Sequence, residues 1–338
     1  MSGLDDAELA ALELVAFGEP MGVEIVTQLV GADPLEQLER KGLVVTERDD
    51  LRIQARLAHP LHGEVLRDRT PPDRARAVRR SLADAVEATG ARRRGDVLRI
   101  AVWRLEADDD DSPERFAAAA QQAAFANDFA MARRLAERAF ALVPGFQSAL
   151  VLADVLYELG EVERTEVVLG DVGSLAGTDE ERGLHAILRA SNLYWRLGRE
   201  ADAHEVLDEA LQVLQDVGWR HEVEATHALF ETCAARPRDA MARVQPILDL
   251  GVGGRELVQA ALAAVLGLPL LGRGADAVAL ARRARGTDIG LGEQLRLYER
   301  SLMLEIGESL ALSQMGELAA SEAAAKRVYD QSLEDAES

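Results

Sequence analysis

Apolar positions recur with a helical period along most of the chain. In "DDAELAALELVAF" Leu9, Leu12 and Val15 fall near one face, and Asp5 and Asp6 complement the dipole at the helix start. "MGVEIVTQLVG" predicts a second short helix stopped at Gly31. "DPLEQLERKG" predicts a third, with Asp33 as N-cap, Pro34 at the first helical position, Glu36 completing a capping box and Gly42 as terminator. The period then drops to two. "LVVTERDDLRIQARL" alternates on both sides of Asp49-Asp50, which predicts a β-hairpin over 43–57 and carries the one convincing strand signal. Three helices and a hairpin predict a small winged-helix module over 1–69. Residues 70–110 read as a connector of two helices, with Thr70 as cap and Pro71 at the first position.

Beyond residue 110 the helical pattern repeats. Six seven-residue segments align: "ANDFAMA" from Ala126, "LGEVERT" from Leu159, "LGREADA" from Leu197, "AARPRDA" from Ala234, "LGRGADA" from Leu271 and "MGELAAS" from Met315, at intervals of 33, 38, 37, 37 and 44 residues. The seventh position is always small: Ala132, Thr165, Ala203, Ala240, Ala277 and Ser321. Each segment sits between two apolar helices, so the unit is a helix–turn–helix with a small residue where the second helix crosses the first. It resembles the tetratricopeptide repeat, whose turn is typically Gly-Asp-Tyr-x-x-Ala. The match is weakest at Ala234, where Pro237 replaces the usual turn residues. The predicted fold is mainly α: a winged-helix module followed by an α-solenoid of tetratricopeptide-like hairpins over 111–338.

Charge narrows the function. The chain carries a net charge of -21, which opposes general affinity for nucleic acid or anionic membranes. Residues 1–70 hold seven Arg and Lys against fourteen Asp and Glu, so the third helix of the winged-helix module lacks the basic stripe of a DNA reader. Arg74, Arg76, Arg79, Arg80, Arg92, Arg93 and Arg94 form the one basic region, expected to pair with the acidic modules on either side. The one cysteine, Cys233, excludes an internal disulfide and fits a reducing compartment as a small core residue. No apolar run approaches the ~20 residues of a membrane span. A cytoplasmic protein is expected.

Candidate chemistry is sparse. "RLAHPLHGEVLRD" sets His59 and His62 around Pro60. Pro60 biases His59 to an extended conformation and starts a helix, so His59 stands at a helix N-terminus that favours an anion. A metal site would need further ligands at suitable spacing, and none is nearby. His59 reads either as an anion contact or as a half-buried packing residue, and His62 as structural. No nucleophile–base pair, metal quartet or cofactor loop is legible, and G-x-x-x-x-G-K-[ST] does not occur. No catalytic residue, metal or cofactor is therefore assigned to this chain. In a tetratricopeptide frame Asp154, Tyr157, Glu158, His185, Asn192, Trp195 and Arg196 fall on the first helices of their repeats, at positions that usually face a concave surface.

The wording of the first 107 residues resembles one family. "LELVAFGEPMG", "LEQLERKGLVV", "RLAHPLHGEVLRDR" and "LADAVEATGARRRGDVLRIAVWRLEA", followed by degenerate repeats, are similar to the large ATP-binding LuxR-type transcriptional regulators of actinobacteria, relatives of the maltose-operon activator. The resemblance implies an NTPase domain before this region and a helix-turn-helix after it. The chain is thus expected to be the middle of such a regulator, incomplete at its C-terminus and prone to fraying or self-association there. The resemblance also implies that His59 touches the β-phosphate of ADP held by the NTPase domain, and that the repeats receive an inducer, small molecule or protein. ATP and ADP would belong to the presumed full-length protein. The other readings are a stand-alone winged-helix DNA-binding repressor and a repeat adaptor unrelated to transcription.

Overall fold

The computed structural model describes residues 3–49, 52–91, 93, 95–109, 111–287 and 294–337. The chain forms two compact units, Met1–Val155 and Leu156–Ser338. The sequence divisions at 69/70 and 110/111 both fall inside the first.

In the first unit, α1 (Asp6–Gly18) opens on a capping box in which Asp5 and Glu8 each accept the other's amide. After β1 (Met21–Gly22) come α2 (Val23–Val30), α3 (Ala32–Arg40), β2 (Val44–Asp49), β3 (Arg52–Leu57) and α4 (Pro60–Arg69). The sheet order is β1-β3-β2, all antiparallel, with Val44 opposite Leu57 and Met21 opposite Ala55. β1 is an addition to the predicted hairpin, and two residues are too short to carry a period. Helix α3 starts at Ala32 behind Gly31, with no side-chain cap; Asp33 lies in its first turn, not at the cap. Gly42, at φ 64°, closes α3 as predicted, with its amide on Glu39 O and that of Leu43 on Leu38 O.

Helices α5 (Pro72–Ala88) and α6 (Asp96–Glu106) complete this core. Val78, Leu82, Ile100 and Trp103 pack in one cluster with Leu12, Val15, Met21, Leu38 and Ala55. Thr70 does not cap α5; its hydroxyl donates back to Leu66 O at 2.6 Å. Of the basic region, Arg74 pairs with Glu13 of α1, whereas Arg76 faces Asp73, Arg79 Glu106 and Arg80 Asp109 (3.8 Å), all within residues 70–110 and not in the modules on either side. Arg92 and Arg94 lie outside the described residues.

The repeats follow as α7 (Pro113–Phe125), capped by Ser112, then α8 (Phe129–Leu142), α9 (Phe146–Glu158) and α10 (Val162–Val172). Then come α11 (Asp179–Ser191), extended by a π-helical turn over Asn192–Arg196, and α12 (Glu200–Val213), α13 (Val217–Cys233) and α14 (Pro237–Asp249). The last are α15 (Gly254–Leu270), α16 (Gly274–Arg285), α17 (Gln294–Gln314) and α18 (Leu318–Glu337). This is an α-solenoid of helical hairpins, and the aligned segments are its turns. Their second residue is left-handed in all six: Asn127, Gly160, Gly198, Ala235, Gly272 and Gly316, at φ between 58° and 81°. Their seventh residue is buried to within 1% at Ala132, Thr165, Ala203, Ala240 and Ala277, because the two helices of the hairpin touch there. Pro237 takes the first position of α14, where its missing N–H costs nothing. In the second unit α13 packs on α14 and α15, and α15 on α16 and α17, so each hairpin covers the next.

Candidate functional site

In the first unit the end of β3 and the start of α4 are fixed against α1. Glu19 accepts the Leu57 amide at 2.9 Å, and Arg67 donates to Ala16 O. His59 caps α4 in an extended conformation (φ -143°, ψ 129°), and its Nδ1 accepts the Leu61 amide at 3.2 Å. That bond uses the Nδ1 lone pair, so the neutral ring carries its proton on Nε2. Both His59 and His62 are exposed, 5.7 Å apart between ring centroids. His59 is therefore not the half-buried packing residue that its sequence context allowed. Beside them, Leu61 and Val65 are 57% and 42% exposed and lie one turn apart on one face of α4. The amides of Leu61 and His62 are already bonded, to the His59 ring and to His59 O. His59 thus offers its own Nε2–H, not a set of open helix amides.

Helix α3 offers few open cations. Lys41, just past its end, bonds both Glu8 oxygens at 2.6 and 2.7 Å and Gly3 O at 3.1 Å, and Arg40 faces Glu36. The Lys41 ammonium holds the Glu8 carboxyl below its usual range.

The seven repeat positions separate. Tyr157 and Arg196 meet, with the guanidinium 4.5 Å from the ring centroid. Trp195 is 47% exposed and sets its edge on Tyr194 and Phe230. The π turn supplies one extra residue, which rotates the next side chains by about 100° and leaves Trp195 and Arg196 outward. Asp154 is half-buried and Glu158 exposed. Two candidates are corrected. Asn192 is 0% exposed and donates to Val162 O at 3.0 Å, so it ties α10 to the helix after it and faces no groove. His185 turns its Nε2 onto Leu169 O at 2.7 Å, and burial lowers its pKa; it too joins α10 to α11.

Three features were not foreseen. Tyr194 stacks on Phe230 at 4.1 Å and donates to its carbonyl. A cleft of about 270 Å3 lies between the starts of α13 and α15, where Arg255 covers Trp219 at 3.9 Å and pairs with Glu222. The volume is below the ~300–1,000 Å3 of enclosed small-molecule sites. Finally His204 of α12 meets His227 and Glu231 of α13, with ligand-type atoms all within 4.8 Å of one another. Burial, then Arg243 and His204, push the His227 pKa below the usual histidine value. The sequence assigned no metal because its one usable signal was His227 and Glu231 four apart on a helix; His204 lies 23 residues away on another helix. Cys233, expected in the core, is exposed at the end of α13.

No protein-family model and no curated protein matches the chain. Among solved structures it is similar to a signal transduction ATPase with numerous domains carrying a tetratricopeptide repeat sensor, from Pyrococcus horikoshii. The identity is 16% and the TM-score 0.46, over 96% of this chain and 56% of that protein. This chain therefore spans little more than half of that neighbour. It is also similar to IFIT1 as a monomeric mutant with Gppp-AAAA, at 14% identity and TM-score 0.47, over 97% of this chain and 74% of that one. The human IFIT1 dimer with m7Gppp-AAAA gives 13% and 0.46 over the same shares.

Proposed function

We propose that the chain is the non-catalytic sensing and coupling region of a LuxR-type transcriptional regulator. Its repeats receive an inducer or partner protein, and its winged-helix module couples that event to an NTPase domain. The observation that carries this reading is the start of α4: an exposed imidazole with its proton on Nε2, next to the exposed Leu61 and Val65 strip. A single outward N–H donor beside an apolar strip fits a docked domain holding an anionic phosphate. ADP would meet His59 there, and this chain's share is to donate that hydrogen bond and to orient the ring through the Leu61 amide. In the repeats the exposed Trp195 and Arg196, with the half-buried Tyr157 against the guanidinium, present an aromatic and cationic surface, the composition of protein-binding hot spots. DNA reading by α3 is disfavoured because the Lys41 ammonium is tied to Glu8.

The test uses the gene with its flanking coding sequence and a transcription reporter. His59→Asn and His59→Asp both keep a good helix cap. Each is expected to leave the unfolding midpoint unchanged and to raise basal transcription, Asp more than Asn through repulsion of phosphate. Unchanged transcription in both variants refutes the coupling role, and salt-dependent binding of this chain to random duplex would favour the repressor reading instead.

A further inference from the structure

The contact between α12 and α13 is built from groups that bind metals. The Nδ1 atoms of His204 and His227 face each other at 3.0 Å. Two imidazoles bound to one ion by bonds of about 2.0–2.1 Å at the tetrahedral angle would stand about 3.3 Å apart. Glu231, one helical turn from His227, brings Oε1 to 3.9 Å from the same Nδ1. His227 is 3% exposed, and His204 and Glu231 are partly buried. The far side of His227 is also occupied: its Nε2 lies 3.2 Å from Asp208 Oδ1 and 3.3 Å from Arg243 Nη2. When the Asp208 carboxylate accepts the remote N–H, Nδ1 is left open to an ion; the Arg243 N–H favours the other tautomer, so ion binding selects between the two.

We propose that His204, His227 and Glu231 form a site for a borderline divalent metal ion of the zinc class. It would have three protein ligands and a fourth position open to water or an anionic ligand. The assignment goes beyond the function proposed above and does not depend on it. It also accounts for a buried polar atom. His204 Nε2 is buried with no hydrogen-bond partner among the described residues, 3.8 Å from Glu200. Without an ion, one ring must donate its Nδ1 proton to the other. When His227 donates its Nε2–H to Asp208, His204 is the donor and its Nε2 is a buried bare lone pair; when His227 Nε2 instead accepts from Arg243, His227 donates through Nδ1 and the His204 Nε2–H points at Glu200, 3.8 Å away. With an ion on both Nδ1 atoms, His204 instead carries its proton on Nε2, directed at the Glu200 carboxylate. No net proton is released in that exchange. The surrounding charge permits a dication. Glu200, Asp208 and Glu231 face the cluster. Against them stand Arg236, which holds Glu231 and Glu200, and Arg243, which touches His227 Nε2 at 3.3 Å and is paired with Glu224. Imidazole and carboxylate ligands suit Zn2+, Co2+ or Ni2+ over Ca2+ or Mg2+.

The test is titration of the metal-stripped full chain with Co2+, read by visible absorption, followed by displacement with Zn2+. One Co2+ per chain with the intense bands of a four-coordinate site is expected. His204→Gln and Glu231→Gln should each weaken binding by about 100-fold or more, and Asp208→Asn, exposed and remote from the ion, by about 10–100-fold. His62→Gln should bind as the parent does. Zn2+ should raise the thermal midpoint of the parent and not of His204→Gln. Far-ultraviolet circular dichroism separates a variant that fails to fold, and Asp208→Asn keeps the test open if His204→Gln does. Absence of Co2+ binding by the parent, or equal affinity in a folded His204→Gln variant, would overturn the assignment.

Discussion

Glycine to alanine is expected to change sign between two helices of the second unit. In a helix interior the substitution is worth about 1 kcal/mol of stability from backbone entropy alone. Gly170 in α10 is exposed, and a Cβ there meets nothing nearer than Arg189 Nη2 at 3.9 Å. Gly170→Ala should therefore stabilise by about 0.5–1 kcal/mol. At Gly183 in α11 the same Cβ would fall 2.4 Å from Trp219 Cε3 and 2.9 Å from Cδ2. The indole cannot yield easily: it is 8% exposed and Arg255 covers its face at 3.9 Å. Relief needs a shift of about 1 Å between α11 and α13, and overpacking of this kind costs about 1–3 kcal/mol. A rigid ring puts the cost near the top of that range, so the net loss for Gly183→Ala is about 1–2 kcal/mol. Urea unfolding followed by tryptophan fluorescence measures both variants against the parent. A Gly183→Ala chain as stable as Gly170→Ala would refute the close approach of α11 and α13 and the stacking order built on it.

Ala235 holds a left-handed turn position at φ 59°, a strain of about 1–2 kcal/mol against the roughly 0.5–1 kcal/mol that glycine loses through unfolded-state freedom. Ala235→Gly should raise the urea midpoint, by up to about 1 kcal/mol of stability, and a lower midpoint would contradict the turn. Acid should weaken the fold before the carboxylates titrate. His185 and His227 both have lowered pKa values, first through burial. The unfolded chain takes up their protons from about pH 6.5 and the folded chain only further down, so stability is full above that value. It is lost as pH falls toward the folded-state pKa values, by up to about 1.4 kcal/mol per unit for each histidine. Unfolding midpoints at pH 7.5 and 5.5 check this, and a higher midpoint at pH 5.5 would reverse the sign.

The repeat was legible because its turns are local. A left-handed residue and a small residue five positions later mark each turn, and four of the six left-handed residues are glycines. Asn127 and Ala235 were found through the small residues Ala132 and Ala240 instead. The hairpin over 43–57 was legible from alternation, whereas β1 pairs with β3 across more than thirty residues and leaves no local signal. Leu9 shows the limit of periodicity: it shares a face with the buried Leu12 yet is 38% exposed. The groove residues were read from a regular helix. The π turn after Ser191 breaks that frame, so Asn192 is buried while Trp195 and Arg196 turn outward. Of the histidine cluster only the four-residue spacing of His227 and Glu231 was legible, since His204 joins them only when α12 and α13 pack.

That cluster differs from other polar contacts between helices of the second unit in its chemistry, since its facing atoms are of the kinds that bind metal ions. Several of those rest on settled partners: Asn192 Nδ2 on Val162 O, Thr232 on Ala263 O, and the Glu308 carboxylate, 1% exposed, held by Arg282 and Arg285. Such contacts fix which helix faces which, and a stacked array adds one interface term per neighbour. Between α12 and α13 the two imidazoles face each other through Nδ1, and His204 Nε2 is buried without a partner within hydrogen-bond distance among the described residues. A neutral donor–acceptor pair would have served register alone, as it does at Thr232. A ligand-type trio, with Asp208 and Arg243 at the far nitrogen of its buried ring, leaves this interface open to adjustment by an ion. A change in the binding free energy at that point acts on the single term that joins the hairpin of α11 and α12 to that of α13 and α14. The Trp195 and Tyr194 surface stands on the same pair of hairpins through Phe230.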